Sequence, residues 1–376
     1  MYVLLNHGQM IADGVRSRAY ERALRQRVTP GAVVVDIGTG TGVFAVLACR
    51  FGARRVYAIE ADDTIALAQE VAVAAGCADR IEFLQNWSNA VQLPERADLI
   101  VSDLRGALPL FRNHLPTIID ARRRFLAPDG ALIPEQDVLW AAIIESEALY
   151  HSCTLPWTDN CHNLDLRAAL PIVRNSFHHG PVGPEQLLAP PERWATLDYR
   201  TVETSDVEGE LRWQVTRSGT AHGLLLWFDA VLAPGIGFCN RPGTAQPTTI
   251  YGSGFLPWSE PVNVAVGDTI VVQLSARLVG GEYIWRWDSQ IEKMSFRQST
   301  FYGMPLSLER LRRQAADSVP SLGEEGKIDR FILEQMDGQL TLEAIARRLA
   351  QHFPGRFDRL QDSLARVGEL AQKYGQ

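Results

Sequence analysis

The sequence is 376 residues long, room for two or three domains at roughly 100–200 residues each. With 46% apolar and 22% charged residues it has the balance of an ordinary folded protein in water. A formal charge of −7 argues against holding nucleic acid by counterion release, and no apolar run approaches the roughly 18 residues of a membrane span. The start shows no basic region followed by an apolar one, so an export signal is not expected. The five cysteines are an odd number without a disulfide-framework pattern and read as reduced thiols of a cytoplasmic protein.

The first 30 or so residues predict helix, with Met10, Val15, Ala19, Tyr20 and Leu24 near helical spacing. From Val33 the pattern becomes alternating strand and helix. Strands are predicted at Val33–Ile37, Arg55–Glu60, Ile81–Leu84 and Ala97–Asp103, with helices at Val43–Phe51 and Thr64–Ala75 between them. That order means a doubly wound, Rossmann-like α/β sheet over residues 1–133. Its ligands belong at the carboxyl ends of the strands, here Asp36–Gly42, Glu60 and Asp103.

Beyond Ile133-Pro134 helical periodicity fades. Short alternating runs at Leu211–Val215, Leu224–Val231, Thr269–Leu274 and Tyr283–Trp287, separated by Pro-Gly and Gly-Gly turns, predict a β-barrel-like domain over 134–305. Most of the nine tryptophans fall in this region and read as core. Residues 320–376 form a third unit of three short helices. Ile328, Phe331, Ile332 and Met336 share one face, Thr341 caps the next helix with Leu342, Ile345 and Leu349 inward, and Phe357, Leu360, Leu364, Val367 and Leu370 make the third face. This small helical module is near neutral, which suits a peptide or protein partner and not DNA.

Asp36-Ile37-Gly38-Thr39-Gly40-Thr41-Gly42 follows a strand and opens a helix. Its G-x-G-x-G spacing differs from the G-x-G-x-x-G of dinucleotide binders. Glycines let the backbone pass close under a ligand, and Glu60 at the next strand's tip can accept both ribose hydroxyl hydrogens. With a third strand ending Ser102-Asp103, the set points to a nucleoside cofactor; a nicotinamide dinucleotide or a structural turn are the alternatives.

Here the residues resemble the protein arginine methyltransferase family. His7, Met10, Asp13, Val15 and Arg16 look like its N-terminal H-x-x-M-x-x-D-x-V-R helix, and Val35–Gly42 and Gly52–Glu60 also match. Val91-Gln92-Leu93-Pro94 resembles its V-E-L-P segment, and Phe125–Gly130 the end of its methyltransferase fold. The resemblance implies S-adenosylmethionine as cofactor. It gives Arg16 the cofactor's carboxylate, the Gly38–Gly42 loop with Thr39 its methionine portion, Glu60 the ribose, and Ser88 and Asn89 the adenine, with Asp36 and Ala61 also in the cofactor site. His7, Met10 and Ser102 complete the implied cofactor set, and a homodimer is implied as well.

The departures concern the acceptor. The family's S-E-x-x-G loop carries a second glutamate six residues after its glycine, and the pair grips a guanidinium. Here Ser102-Asp103-Leu104-Arg105-Gly106 continues to Arg112, so the first acid is shortened and the second is a cation; the T-H-W loop is replaced near Ile250-Tyr251-Gly252. Two arginines against a third guanidinium would repel it. The expectation is therefore that Asp103 orients or deprotonates the acceptor, that Arg105 or Arg112 holds an anionic or carbonyl part of it, and that His114 could serve as a general base. A side-chain amide or carboxylate of a peptide or protein suits that polarity better than arginine.

Ile332–Gly338, Leu342–Leu349 and Phe353-Pro354 resemble PqqD-like domains, which recognise leader segments of ribosomally made peptides. The expected function is thus methyl transfer to a peptide or protein substrate gripped by the C-terminal module, in peptide natural-product modification. A small-molecule N- or O-methyltransferase with a structural cap, and a cofactor- or peptide-binding protein without turnover, remain alternatives. His151, Cys153, Cys161 and His162 lack zinc-site spacing and read as loop residues, and the His178-His179 pair reads as structural.

Overall fold

The structure, a computed structural model, describes residues 4–159, 163–244 and 250–375. It opens with α1 (Leu4–Ala12) and α2 (Gly14–Arg27). The expected single N-terminal helix is broken at Asp13, whose Oδ1 accepts from the amides of Val15 and Arg16 and so starts α2 as an N-cap. Then come β1 (Val33–Ile37), α3 (Val43–Arg50), β2 (Arg55–Ile59), α4 (Thr64–Ala74), β3 (Ile81–Leu84), β4 (Ala97–Ser102), α5 (His114–Phe125) and β5 (Leu126–Ile133). The five strands pair in parallel in the order β3-β2-β1-β4-β5. Because β1 lies between β2 and β4, the connections diverge there and open a crevice at the strand ends. Strand β1 is buried along its whole length, as its Val-Val-Val run requires.

The β-rich part comprises β6 (Gln136–Ile144), α6 (Glu147–Thr158), α7 (Leu170–Val173), β7 (His178–His179), β8 (Glu192–Asp198), β9 (Val207–Gln214), β10 (Gly219–Ala233), β11 (Ile236–Cys239), β12 (Gly254–Val264), β13 (Thr269–Val279), β14 (Glu282–Ile291) and β15 (Met294–Ser299). They form two antiparallel sheets, β7-β12-β10-β6-β8 with β11 on β10, and β15-β14-β13-β9. Trp258 and Trp287 sit between them fully buried, their indole N–H groups bonded to Ser289 Oγ and the Pro257 carbonyl. One hydrophobic core runs without interruption from α2 and the parallel sheet into this barrel-like region. Residues 4–305 are therefore one compact body in which side chains of both halves meet. Not every tryptophan of this region is core: Trp157 is 36% exposed.

Residues 306–375 form a second compact unit. It contains α8 (Leu308–Gln314), α9 (Glu324–Glu334), α10 (Leu342–His352) and α11 (Leu360–Tyr374). Ile328, Ile332, Ile345, Ala346, Leu349, Val367 and Leu370 make its core, and Thr341 Oγ1 caps α10 by accepting from the Ala344 amide. Met336 lies past the end of α9 but still packs against that core. Replacing the fully buried Leu349 by alanine should destabilise this unit by about 2–5 kcal/mol while the unfolding of residues 4–305 stays in place. Calorimetry of the variant checks this: the smaller transition should move and the larger should not.

Candidate functional site

The turn after β1 is built for close backbone approach. Gly38 and Gly40 take φ of 72° and 53°, where a Cβ is disfavoured. A Cβ on Gly38 would lie 2.5 Å from the Leu104 side chain, and one on Gly40 would lie 2.9 Å from the His7 imidazole. The two amides after β1, Gly38 and Thr39, donate to the Ile59 carbonyl and pull the loop against β2. Glu60 is then held from both sides: Gly40 N–H donates to Oε2 and Asp62 N–H to Oε1, each at 3.0 Å. These bonds fix the carboxylate's orientation and leave each oxygen a lone pair. Below the loop, buried Asp36 takes the Thr39 hydroxyl at 2.6 Å through Oδ2, while its Oδ1 has no partner among the described residues. Burial pushes the Asp36 carboxyl up to about 7. Ala61 follows on the turn into α4. Ser88 is buried and its carbonyl accepts from Arg124, whereas neighbouring Asn89 is exposed.

At the end of β4 lies a network of four buried charges. Arg16 comes from α2, 5% exposed; Nε donates to Asp103 Oδ2 at 2.6 Å and to the Tyr251 hydroxyl, and Nη1 to the Met10 carbonyl. Its Nη2 makes no hydrogen bond among the described residues. The Tyr251 hydroxyl in turn donates to Asp103 Oδ2, and Arg105 Nε donates to Oδ1 at 3.1 Å. Arg105 continues through Nη1 to both oxygens of Asp137 at 3.0 and 3.3 Å, and through Nη2 to the Tyr20 hydroxyl. The Tyr20 hydroxyl in turn donates a hydrogen bond to the Ser102 carbonyl. Tyr199 donates to Asp137 at 2.6 Å and meets His114 Nε2 at 2.9 Å. Burial alone would raise the Asp103 carboxyl, but Arg16, Arg105 and Tyr251 outweigh it and hold the group at about 2.

The acceptor-side expectations need correcting. Asp103 is not an available base, because three donors already occupy it and its pKa is far below neutrality. Arg105 is not available to an acceptor either: its side chain is 0% exposed and all three nitrogens are bonded. His114 does not reach the active mouth. It is buried as the first residue of α5, and burial with nearby Arg105 pushes its imidazole down to about 3. Arg112, at φ 43°, points elsewhere: it stands 3.8 Å from Glu282 on a cleft of about 520 Å³ walled by Phe111, His179, Tyr283 and Trp285. Sequence reading missed Asp137 and Tyr199. The signal for Asp137 was available: it is two residues before Leu139 on the inward face of β6, an acid in an apolar alternation. Cys161 and His162 lie outside the described residues, and Cys153 is buried with its thiol against the Tyr150 carbonyl.

Comparison with known proteins agrees with this layout. Residues 20–133 match the family model described as ribosomal protein L11 methyltransferase (PrmA), and residues 135–276 match the arginine methyltransferase oligomerization subdomain. The chain is 30% identical to protein arginine N-methyltransferase 6 of Xenopus laevis over 250 residues, 61% of this chain and 70% of that one. This chain belongs to the protein arginine methyltransferase family. It is also 32% identical to protein arginine N-methyltransferase 2 of Mus musculus over 70% of this chain, and 29% identical to the probable protein arginine N-methyltransferase 6 of Arabidopsis thaliana over 68%. It spans 62% and 61% of those two relatives' lengths. Among solved structures, the Trypanosoma brucei PRMT1 enzyme-prozyme complex with AdoHcy superposes with a TM-score of 0.73 at 21% identity, covering 78% of this chain and 96% of that one. Arabidopsis thaliana protein arginine methyltransferase 10 gives 0.70 at 22% identity, covering 79% and 97%. At these identities the likeness is one of fold.

A neutral buried histidine has a consequence for stability. The His114 pKa is depressed in the folded state, so below its ordinary value of 6.5 the unfolded chain takes up a proton that the folded chain refuses. Stability is then fully present above about pH 6.5 and falls toward pH 3, by about 1.4 kcal/mol per pH unit from this group. Denaturant titrations between pH 7 and 4 should show that loss in the native chain and a shallower one in His114→Gln.

Proposed function

We propose that this chain is an S-adenosylmethionine-dependent methyltransferase acting on a side chain of a protein or peptide. The observation that carries the proposal is the cofactor constellation at the divergence point of the sheet. Glu60 presents oriented lone pairs for two ribose hydroxyls, Gly38 and Gly40 let Leu104 and His7 pack close against the turn, and Arg16 Nη2, without a hydrogen bond among the described residues, suits a carboxylate. These residues fit the cofactor's ribose and amino-acid ends, with His7 against Gly40 at the rim. S-adenosylmethionine supplies an electrophilic methyl group on a sulfonium when bound. The relatives' names support a protein substrate.

Among the described residues, neither Asp103 nor His114 is free to remove an acceptor proton. Asp103 is spoken for and His114 is buried, so the acceptor that fits has already lost its proton at neutral pH. A side-chain carboxylate meets that condition better than an amide. Arginine, the acceptor in the relatives' names, would need acids to hold its charge, and the acids at this site already hold Arg16 and Arg105. The helical unit is proposed to bind a remote segment of the peptide, as its PqqD-like pattern suggests, within peptide natural-product modification. A homodimer is proposed as well, supported by exposed Leu155 and Trp157 on α6 and by the subdomain model that matches. A cytoplasmic setting is consistent with Cys49, Cys77, Cys153 and Cys239 being unpaired thiols.

Glu60→Gln should weaken cofactor affinity about 10- to 100-fold, the loss of charge-assisted hydrogen bonds of roughly 1.5–3 kcal/mol, as read by calorimetric titration with S-adenosylhomocysteine. Unchanged affinity would remove Glu60 from the site. For the acceptor, the substrate-bearing peptide or protein fraction should be labelled from methyl-labelled S-adenosylmethionine. Label released as methanol by mild base supports a carboxylate; methylarginine in the hydrolysate would overturn that choice. Cofactor binding with no transfer to any fraction would favour the turnover-free alternative.

A further inference from the structure

Arg105 is held the way a ligand is held. Two carboxylates, Asp103 and Asp137, and the Tyr20 oxygen take its three nitrogens. The rings of Tyr20, Phe228, Phe238 and Tyr251 stand around its Cζ with centroids 5.3–5.8 Å away. A separate acceptor for each of the three nitrogens, with aromatic rings around Cζ, is an arrangement that suits a guanidinium. An ammonium brings one nitrogen where this site serves three, at Asp103, Asp137 and Tyr20. A core position needing only bulk would be filled more cheaply by an apolar side chain.

We propose that this cage is a guanidinium-binding site whose permanent occupant is the chain's own Arg105, and that Arg105 thereby determines specificity by denying a substrate arginine the two buried acids. The residue enters from the same loop that carries Asp103, so the occupant and the acceptor side of the site are joined by a single residue, Leu104. With Arg16 and Arg105 against Asp103 and Asp137 the network is neutral. A second guanidinium would either bring a net buried charge or have to expel Arg105 from its two acids. The consequence for acceptor choice rests on the methyltransferase reading; the cage itself does not.

The test is chemical replacement in the full chain. Arg105→Ala leaves both acids in a cavity the shape of the lost side chain. Thermal melting with millimolar methylguanidine should raise the variant's midpoint by about 2 °C or more, with no rise for the native chain and none for the variant with methylamine. Should the variant not fold unaided, its refolding yield with and without methylguanidine reads the same site, and recovery with methylguanidine alone supports the proposal. No response of the variant in either measurement, an equal response of the native chain, or an equal response to methylamine would overturn it. Because no cofactor or methyl transfer enters the measurement, its failure is separate from failure of the proposed enzymatic function.

Discussion

Arg16, Asp103, Arg105 and Asp137 balance one another's charge in the interior, and they come from three separate places in the chain. Arg16 sits in the first turn of α2, Asp103 and Arg105 follow β4, and Asp137 lies in β6, the first strand of the barrel-like region. Tyr251, beyond β11, and Tyr199, beyond β8, close the network from the barrel side. The pairs therefore join the cofactor half to the barrel half across the continuous core. Removing any one member would leave its partner charged in a medium that solvates it badly, at a cost of about 3–5 kcal/mol. The same bonds determine what the site has left to offer a ligand. Arg16 keeps one nitrogen open, while Asp103 and Arg105 keep nothing.

This division separates the site into a preserved side and an altered one. On the proposed cofactor side, the glycine loop and Glu60 are arranged by backbone bonds, while Arg16 is held by the side chains of Asp103 and Tyr251. On the acceptor side the family's paired glutamates are absent, and an internal guanidinium is fastened beside the remaining acid. Asp13 shows how the two sides stay linked. One oxygen caps α2 and so aims Arg16, and the other accepts from the Ile250 amide next to Tyr251.

The parallel sheet was legible because buried strands of the Val33–Ile37 kind, alternating with short helices and ending in Gly or acid, have few other interpretations. The expected cofactor residues from Asp36 to Gly42 and Glu60 follow from the same pattern of strand ends, whereas Arg16, Ser88 and Asn89 came from the family resemblance. Strand β12 escaped notice because Pro257 and Pro261 interrupt it, prolines that an alternation rule counts against a strand. The break at Asp13 was hidden because a capping aspartate and a helical one look alike until the chain turns. Roles on the acceptor side were misjudged for a different reason. Arg105 looks like a solvent-facing charge in one dimension, and only its distance of 32 residues from Asp137 in sequence, closed by the fold, makes it core. Arg112 was placed by the position of the family's second glutamate, but the loop carries it to another cleft, and α5 buries His114.

The most direct measurement is a double-mutant cycle on the Arg105–Asp137 pair, with Arg105→Met, Asp137→Ala and the combined variant compared by denaturant unfolding. If this buried pair holds the two halves together, each single change costs about 3–5 kcal/mol and the combined change costs far less than their sum. Additive losses, or single losses under about 1 kcal/mol, would contradict the account.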